Sequence, residues 1–250
     1  AAFIRDYNKS GRRAFIVFGG ASLETQATAA GRATTYDDAT TYATYETAAR
    51  EIIILTTDLK RLSDSVTFIS AEVASRVAGY ISSIGVKRSP VNAKLTGFQV
   101  VNPYSPTNYE TCQAQGIMPF SNDTITRVRI EAGNTAMVTY TTGADSTRPS
   151  AHKKITAVAT DHMIENTIIR TLADPYIGQL RNTEDGRATI KSAVLEYLRT
   201  LEKQSVLAAG SSTVDLDARF VQAGNAVYLA VAYQYVDTID VTRRCALYLT

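Results

Sequence analysis

The sequence predicts an α+β fold of the mixed α/β kind, an α/β layer followed by a carboxy-terminal domain of long helices packed on a mostly antiparallel sheet. Three observations lead there. Short apolar runs alternate with helical spacings up to about residue 101. Asn102-Pro103 and Ser105-Pro106 then punctuate the chain and divide it into 1–108 and 109–250. Beyond that break lies the best-marked amphipathic helix, over 184–207, followed by alternating and then continuous apolar segments.

The elements follow in order. Ala14, Phe15, Ile16, Val17 and Phe18 make residues 13–18 a buried strand, closed by Gly19-Gly20. Residues 21–49 are rich in Ala, Thr and Tyr and poor in large aliphatics, and their threonines oppose a stable helix, so they read as an exposed insertion. Residues 52–55 and 66–69 are the next apolar strands. Ser70 is placed to cap a helix, with Glu72 in the first turn complementing its dipole. Val73, Val77, Tyr80, Ile81 and Ile84 give that helix its apolar face, and Gly85 fits the left-handed residue that ends it.

In the second part, residues 107–115 form a short helix ending at Gly116. Segments 126–131 and 136–140 flank Gly133-Asn134, a hairpin signal. Residues 146–150 are a loop. A helix over 158–172 carries Ile164, Ile168 and Leu172 on one face and stops at Asp174-Pro175. The turn over 182–187 opens the long helix, with Thr183 as cap and Glu184 and Asp185 in the first turn. Ile190, Val194, Tyr197, Leu198 and Leu201 are its stripe. Val214, Leu216, Ala218 and Phe220 alternate with Asp215, Asp217 and Arg219, as in a strand buried on one side. Gly224-Asn225 turns the chain into 226–236, apolar on both faces like a central strand. The last segment, 241–250, sets Cys245, Leu247 and Leu249 on one face and Ala246 and Tyr248 on the other. It is expected to complete its own sheet or to pair with another molecule.

Bulk properties exclude several classes. The chain has 250 residues, enough for one large domain or two small ones, and its 45% hydrophobic and 20% charged content is ordinary for a globular protein. A net charge of +2 is too small for a dedicated nucleic-acid binder. No apolar run approaches the roughly eighteen residues that span a bilayer. The start of the chain lacks the pattern of a signal peptide. It opens at Ala1, without Met, as a processed product or a fragment would. Cys112 and Cys245 lack metal-ligand spacing and read as buried free thiols in preference to a disulfide.

Catalytic vocabulary is sparse. The sequence holds no Gly-Lys-Ser/Thr phosphate loop, zinc-protease motif, nucleophile elbow or dinucleotide fingerprint. Gly19-Gly20 is at most a weak phosphate-loop echo. His152 lies in a Lys-rich stretch and His162 near a helix start, and each reads as a surface or helix-start histidine with a local hydrogen bond. A triad on His162 would need a nucleophile such as Cys112, without any local signature for it. Asp215 and Asp217 share a strand face, so they read either as an acid–base or metal pair or, preferably, as a solvated face; Asp37-Asp38 is most simply solvated. No catalytic, cofactor-binding or metal-binding residue is assigned. Arg187, Lys191, Arg199 and Lys203 recur at multiples of four, with Leu195 completing the series. They form either a solubilising face or a docking surface for an acidic partner.

Several of these motifs resemble the contractile tail sheath family of phages and phage-like bacteriocins. They are the Tyr176-Ile177-Gly178 turn, the helix start at 182–187, the Tyr197-Leu198-x-x-Leu201 face and the final strand. VTFISAEVASRVAGYISSIGVKRSPVNAKLTG, residues 66–97, is similar to the stretch that joins the family's middle α/β domain to its carboxy-terminal one. YETCQAQGIMPF, 109–120, is similar to the start of the latter. The likeness covers about 65–250. It implies that 1–108 belongs to the sheath middle domain, with an insertion at 21–49, and 109–250 to the carboxy-terminal domain. Family members usually carry a longer amino-terminal part with a subunit-linking arm, which is not recognisable here.

The resemblance implies a structural, non-enzymatic subunit without cofactors. Such subunits form a six-fold helical array with copies of themselves around a tail tube protein, and meet baseplate and tail-terminator proteins. They bind no nucleic acid and insert in no membrane. They act in the virion tail after assembly in the bacterial host cytoplasm, where contraction drives the tube through an envelope. Arg187, Lys191, Arg199 and Lys203 would then face the tube, and Val241, Cys245, Leu247, Tyr248 and Leu249 would belong to a strand added to a neighbouring subunit's sheet. The competing reading is a small α/β hydrolase or nucleotide-dependent enzyme with an unrecognised site.

Overall fold

The computed structural model describes residues 14–19, 51–101, 103–114, 116–137, 150–173, 175–220, 222 and 226–237. It divides into two compact units, 1–159 with 238–250, and 160–237. This is not the division at 108/109 read from the Pro-rich break. Three strands beyond the break pair with strands before it or with one another, so the first unit extends past residue 108.

In the first unit, β1 (Ile16–Gly19), β2 (Ile52–Leu55) and β7 (Ile117–Met118) form a parallel sheet with β2 in the centre. Every residue of β2 is buried. Its alternating side chains split between two apolar clusters. Ile53 and Leu55 join Val73, Val77, Ile81, Met118 and Phe120, while Ile52 and Ile54 join Cys112, Ile117 and Ala136. A strand enclosed on both faces accounts for the unbroken Ile-Ile-Ile-Leu run. By contrast β1 is only half-buried, with Phe18 exposed, so the expectation of a buried strand over 13–18 is corrected. Its end is nonetheless tightly held. A Cβ on Gly19 would lie 2.3 Å from the backbone of Ser70, so only glycine allows this approach to the next helix.

Two antiparallel sheets complete the unit. One orders β4 (Thr67–Phe68), β3 (Leu59–Arg61) and β6 (Phe98–Val100), the other β5 (Lys94–Thr96), β9 (Arg127–Ile130) and β8 (Phe120–Thr124). The strand expected over 66–69 is thus the short β4. The hairpin expected around Gly133-Asn134 is not formed. Strand β9 pairs instead with β5 and β8, Asn134 bridges Lys154, and the Ala136 N–H donates to the Ile52 carbonyl. The turn signal lost to tertiary pairing, because Val128 and Ile130 complete the main cluster only from β9. Residues 138–140 of that expected hairpin lie outside the described residues.

Helix α1 (Ser70–Ile84) buries Val73, Ala74, Val77 and Ile81 as its spacing predicts. Its start differs from the expectation. Ser70 is the first helical residue and not the cap. Its N–H donates to Asp58 Oδ1 at 2.7 Å, and the Ile69 N–H donates to Glu72 Oε2 at 3.0 Å. Two carboxylates therefore satisfy the N–H groups of Ile69 and Ser70 at the helix start. Asp58 belongs to a buried polar link, Thr56-Thr57-Asp58, in which Thr57 Oγ1 also accepts the Phe120 N–H at 3.1 Å. Burial, opposed by the Ser70 hydrogen bond, raises the Asp58 pKa from 3.8 to about 6. Helix α2 (Pro106–Ala114) follows the Pro-rich break. Its Cys112 is a buried free thiol, pushed up to about 11 by burial.

Helix α3 (Ile155–Ala173) starts three residues before the expected 158 and ends before Asp174-Pro175. The second unit takes in most of it and adds α4 (Glu184–Lys203) and one antiparallel pair, β10 (Thr213–Leu216) with β11 (Leu229–Ala232). Residues 226–236 are therefore not a central strand. Among the described residues β11 pairs with β10 alone, and its side chains are half-buried or exposed. Strand β10 stops at Leu216, so the alternation over 214–220 does not continue as strand; Ala218 and Phe220 are exposed. Residues 21–49, the loop at 146–149, Asp37-Asp38, the Gly224-Asn225 turn and the expected strand 241–250, with Val241, Cys245, Leu247, Tyr248 and Leu249, lie outside the described residues.

Candidate functional site

The second unit is built around the start of α4. Thr183 Oγ1 accepts the Gly186 N–H at 3.2 Å, the expected cap, and Glu184 and Asp185 sit in the first turn. Gly186 is buried, and a Cβ there would stand 2.3 Å from the Arg181 carbonyl oxygen. The tight turn over 181–186 thus requires glycine. Val194, Leu198 and Leu201 are buried and Ile190 and Tyr197 half-buried, so the stripe points inward as its spacing predicts. The helix ends at Lys203, four residues before the expected 207, because Ser205 takes a left-handed backbone with φ 58°.

The basic series does not form one surface. Successive steps of four residues turn about 40° around a helix, so the series rotates by roughly 160° over its length. Its first members consequently lie against the hairpin. Arg187 Nη1 donates to Asn182 Oδ1 at 3.1 Å and to the Gln222 carbonyl at 3.2 Å. Lys191 Nζ meets Asp215 at 3.0 Å. Arg199 and Lys203 lie on the exposed side.

The acidic candidates are separated by their partners. Asp215 is exposed and paired with Lys191, whereas Asp217 is buried and held by Arg219 Nη2 at 2.8 Å. The Arg219 guanidinium keeps the Asp217 carboxyl below the usual aspartate range. The two carboxylates therefore stand as members of separate ion pairs and not as an acid–base dyad. Both histidines are buried, which corrects the reading of His152 as a surface residue. His152 lies in a 3-10 turn, Ser150–Lys153, where its carbonyl accepts Thr135 Oγ1 at 2.7 Å. His162 lies within α3.

Three anchors escaped the sequence reading. Gln222 closes the loop beyond β10 and β11. Its Nε2 donates to the carbonyls of Asp217 at 3.2 Å and Tyr228 at 3.1 Å, and its Oε1 accepts the Tyr228 N–H at 2.9 Å. Asn182 Nδ2 donates to the Ala226 carbonyl at 3.2 Å. Buried Asp161 accepts the Tyr233 hydroxyl at 2.7 Å and the Tyr235 hydroxyl, fixing the segment after β11 onto α3. Burial and the adjacent carboxylate push both phenols up. Only the alternation of two tyrosines hinted at this, and nothing local pointed to an aspartate more than seventy positions away.

This fold is similar to that of contractile sheath proteins. Among solved structures, the sheath tail protein from Desulfitobacterium hafniense is similar at a TM-score of 0.66 and 16% identity, with 94% of this chain and 52% of that one covered. The Listeria innocua sheath tail protein gives 0.63 and 15%, with 91% and 57% covered. The sheath complex of an extracellular contractile injection system, PVC, in its contracted state gives 0.66 and 16%, with 95% and 65% covered. More particularly, residues 147–242 match the family of the phage tail sheath C-terminal domain. A search among curated proteins finds no match. The resemblance to sheath proteins read from the residues therefore holds, as does the α+β fold class. The chain spans between about half and two thirds of the length of these three structures.

Proposed function

We propose that the chain is a structural subunit of a contractile tail sheath, which polymerises around an inner tube and contracts to drive that tube through a target envelope. The observation that carries this reading is the match of residues 147–242 to the sheath C-terminal domain, on a fold shared with sheath proteins over most of the chain. Its work is mechanical and not catalytic. No observation favours a hydrolase or nucleotide-dependent enzyme, and the one carboxylate pair considered for it is divided between Lys191 and Arg219. The partners are further copies of the chain in a six-fold helical array, the tail tube, and the baseplate and terminator proteins. The site of action is the virion tail, assembled in the host cytoplasm.

Two surfaces serve this role. Arg199 and Lys203, on the exposed side of α4, face the tube, while Arg187 and Lys191 support the hairpin behind them. The segment 241–250 is donated to a neighbouring subunit's sheet, where backbone hydrogen bonds link bodies that reorient. Negative-stain microscopy of the assembly-competent protein is expected to show tubes or sheets. Deleting residues 244–250 should abolish them and leave a soluble, folded subunit. Normal tubes from the deletion would remove the linking role, and a protein that stays monomeric at every concentration would count against the sheath itself.

A further inference from the structure

The second unit exposes an aromatic pair and a hollow on opposite sides of one helix. Phe220 and Tyr228 stack with ring centroids 4.7 Å apart, yet remain 51% and 40% exposed. Gln222 hydrogen-bonds the Tyr228 N–H and the Asp217 carbonyl, and Asp217 holds Arg219, the residue before Phe220. Arg219 lies over the Phe220 ring at 5.9 Å, its guanidinium paired with Asp217 yet largely exposed beside the aromatic pair. The hollow, of about 420 Å³, lies between Tyr176 and the outer side of α4 and is lined by Ala188, Thr189, Ser192, Ala193 and Glu196. Short side chains make its floor, Tyr176 is its one ring, and Glu196 is its one charge.

Helical geometry sets these two features apart. Arg187 and Lys191 bind the hairpin side, and Val194 and Leu198 are buried on that same face. At about 100° per residue, the helical residues of the hollow centre on the opposite side of the cylinder. An aromatic pair on the hairpin side cannot reach a hollow behind the helix of its own chain. A second copy brings the two together without closing on itself, which is the head-to-tail geometry that builds rings and helical arrays. Exposed aromatics held in place are the usual anchors of such contacts, and Arg219 opposite Glu196 matches in sign.

We infer that the Phe220–Tyr228 pair of one copy seats in the hollow at Tyr176 and Ala193 of the next. This deepens the sheath reading by assigning a side-chain contact between copies, separate from strand donation. The test uses two single variants that keep Cys245, Phe220→Cys and Ala193→Cys, mixed before assembly and oxidised mildly. A disulfide-linked dimer is expected from the mixture and not from either variant alone, with Tyr228→Cys as a second donor should Phe220→Cys misfold. Phe220→Ala should raise the concentration needed for assembly about tenfold, equivalent to roughly 1.4 kcal/mol. Microscopy of the same samples separates the claims. Tubes without the cross-link overturn this contact and leave the sheath reading standing. The cross-link without tubes supports the contact and counts against the sheath array, and the absence of both overturns the two together.

Discussion

The two units of this chain are held by different means. The first encloses β2 between two flanking strands and two apolar clusters, so that its order comes from burial. The second, among the described residues, lays α4 on a two-stranded ladder, and its loops are tied by side chains that bind backbone, chiefly Asn182, Arg187 and Gln222. A two-stranded ladder alone is marginal in water, so these ties and the helix carry the hairpin. The difference teaches where a subunit can meet others. Large side chains are exposed in both units, Ile125 in the first and Ile177, Phe220 and Tyr228 in the second, but in the second an exposed pair, Phe220 and Tyr228, stacks beside a loop held by side-chain ties.

The sharpest test compares one buried leucine from each unit. Leu55→Ala and Leu198→Ala each remove a fully buried side chain and should cost about 2–5 kcal/mol, with Leu55 at the upper end because its surroundings are closed on all sides. Urea titration of both variants measures this. A loss below about half a kcal/mol for Leu198→Ala would show that the wrong face of α4 has been taken as buried.

A smaller effect probes the ties. Gln222→Ala removes the acceptor of the Tyr228 N–H and one of the two donors to each of the Asp217 and Tyr228 carbonyls, and should cost about 0.5–1.5 kcal/mol. Hydrogen exchange should show the loss in residues 213–232 and leave 52–55 unchanged. Faster exchange throughout would mean that the units do not open separately.

The elements legible in the sequence were those fixed by local pattern. The α4 stripe, its Thr183 cap and the Ile-Ile-Ile-Leu strand depend on spacing and neighbours within a turn or two. What escaped depends on distant partners. Gly133-Asn134 reads as a turn until β9 finds β5 and β8, and the apolar run over 226–236 reads as central until its ladder proves, among the described residues, to have two strands. The basic series was legible as a period but not as a surface, since four-residue steps rotate it from the hairpin to the exposed side. Asp58 was passed over because an aspartate after two threonines gives no sign of its burial.

That aspartate gives the first unit a pH signature. With a folded pKa of about 6 against an ordinary 3.8, the folded state holds a proton between those values that the unfolded chain has released. Stability from this group is therefore full below the lower value and declines as pH rises through the higher one. Asp58→Asn should remove that decline in thermal melts taken between the two values. An unchanged pH profile would mean that another group titrates there.

The smallest effect on folding is expected on the exposed side of α4. Reversing Arg199 and Lys203 to Glu should move stability by less than about 0.5 kcal/mol, as for other surface changes, yet impair assembly on the tube. Reversing Arg187 and Lys191 should instead loosen the hairpin, since both act within the subunit. Normal tails from the Arg199 and Lys203 variant would leave those two as plain surface.

The enclosure of β2 also has a kinetic consequence. Its amide hydrogens are flanked by β1 and β7 and covered on both faces, so solvent reaches them only when the whole unit comes apart. Those amides serve as a clock for complete opening and set an upper limit on protection elsewhere in the unit. A sheath that shortens by moving intact bodies would leave that clock undisturbed, while one that melts and rebuilds its subunits would reset it with every stroke.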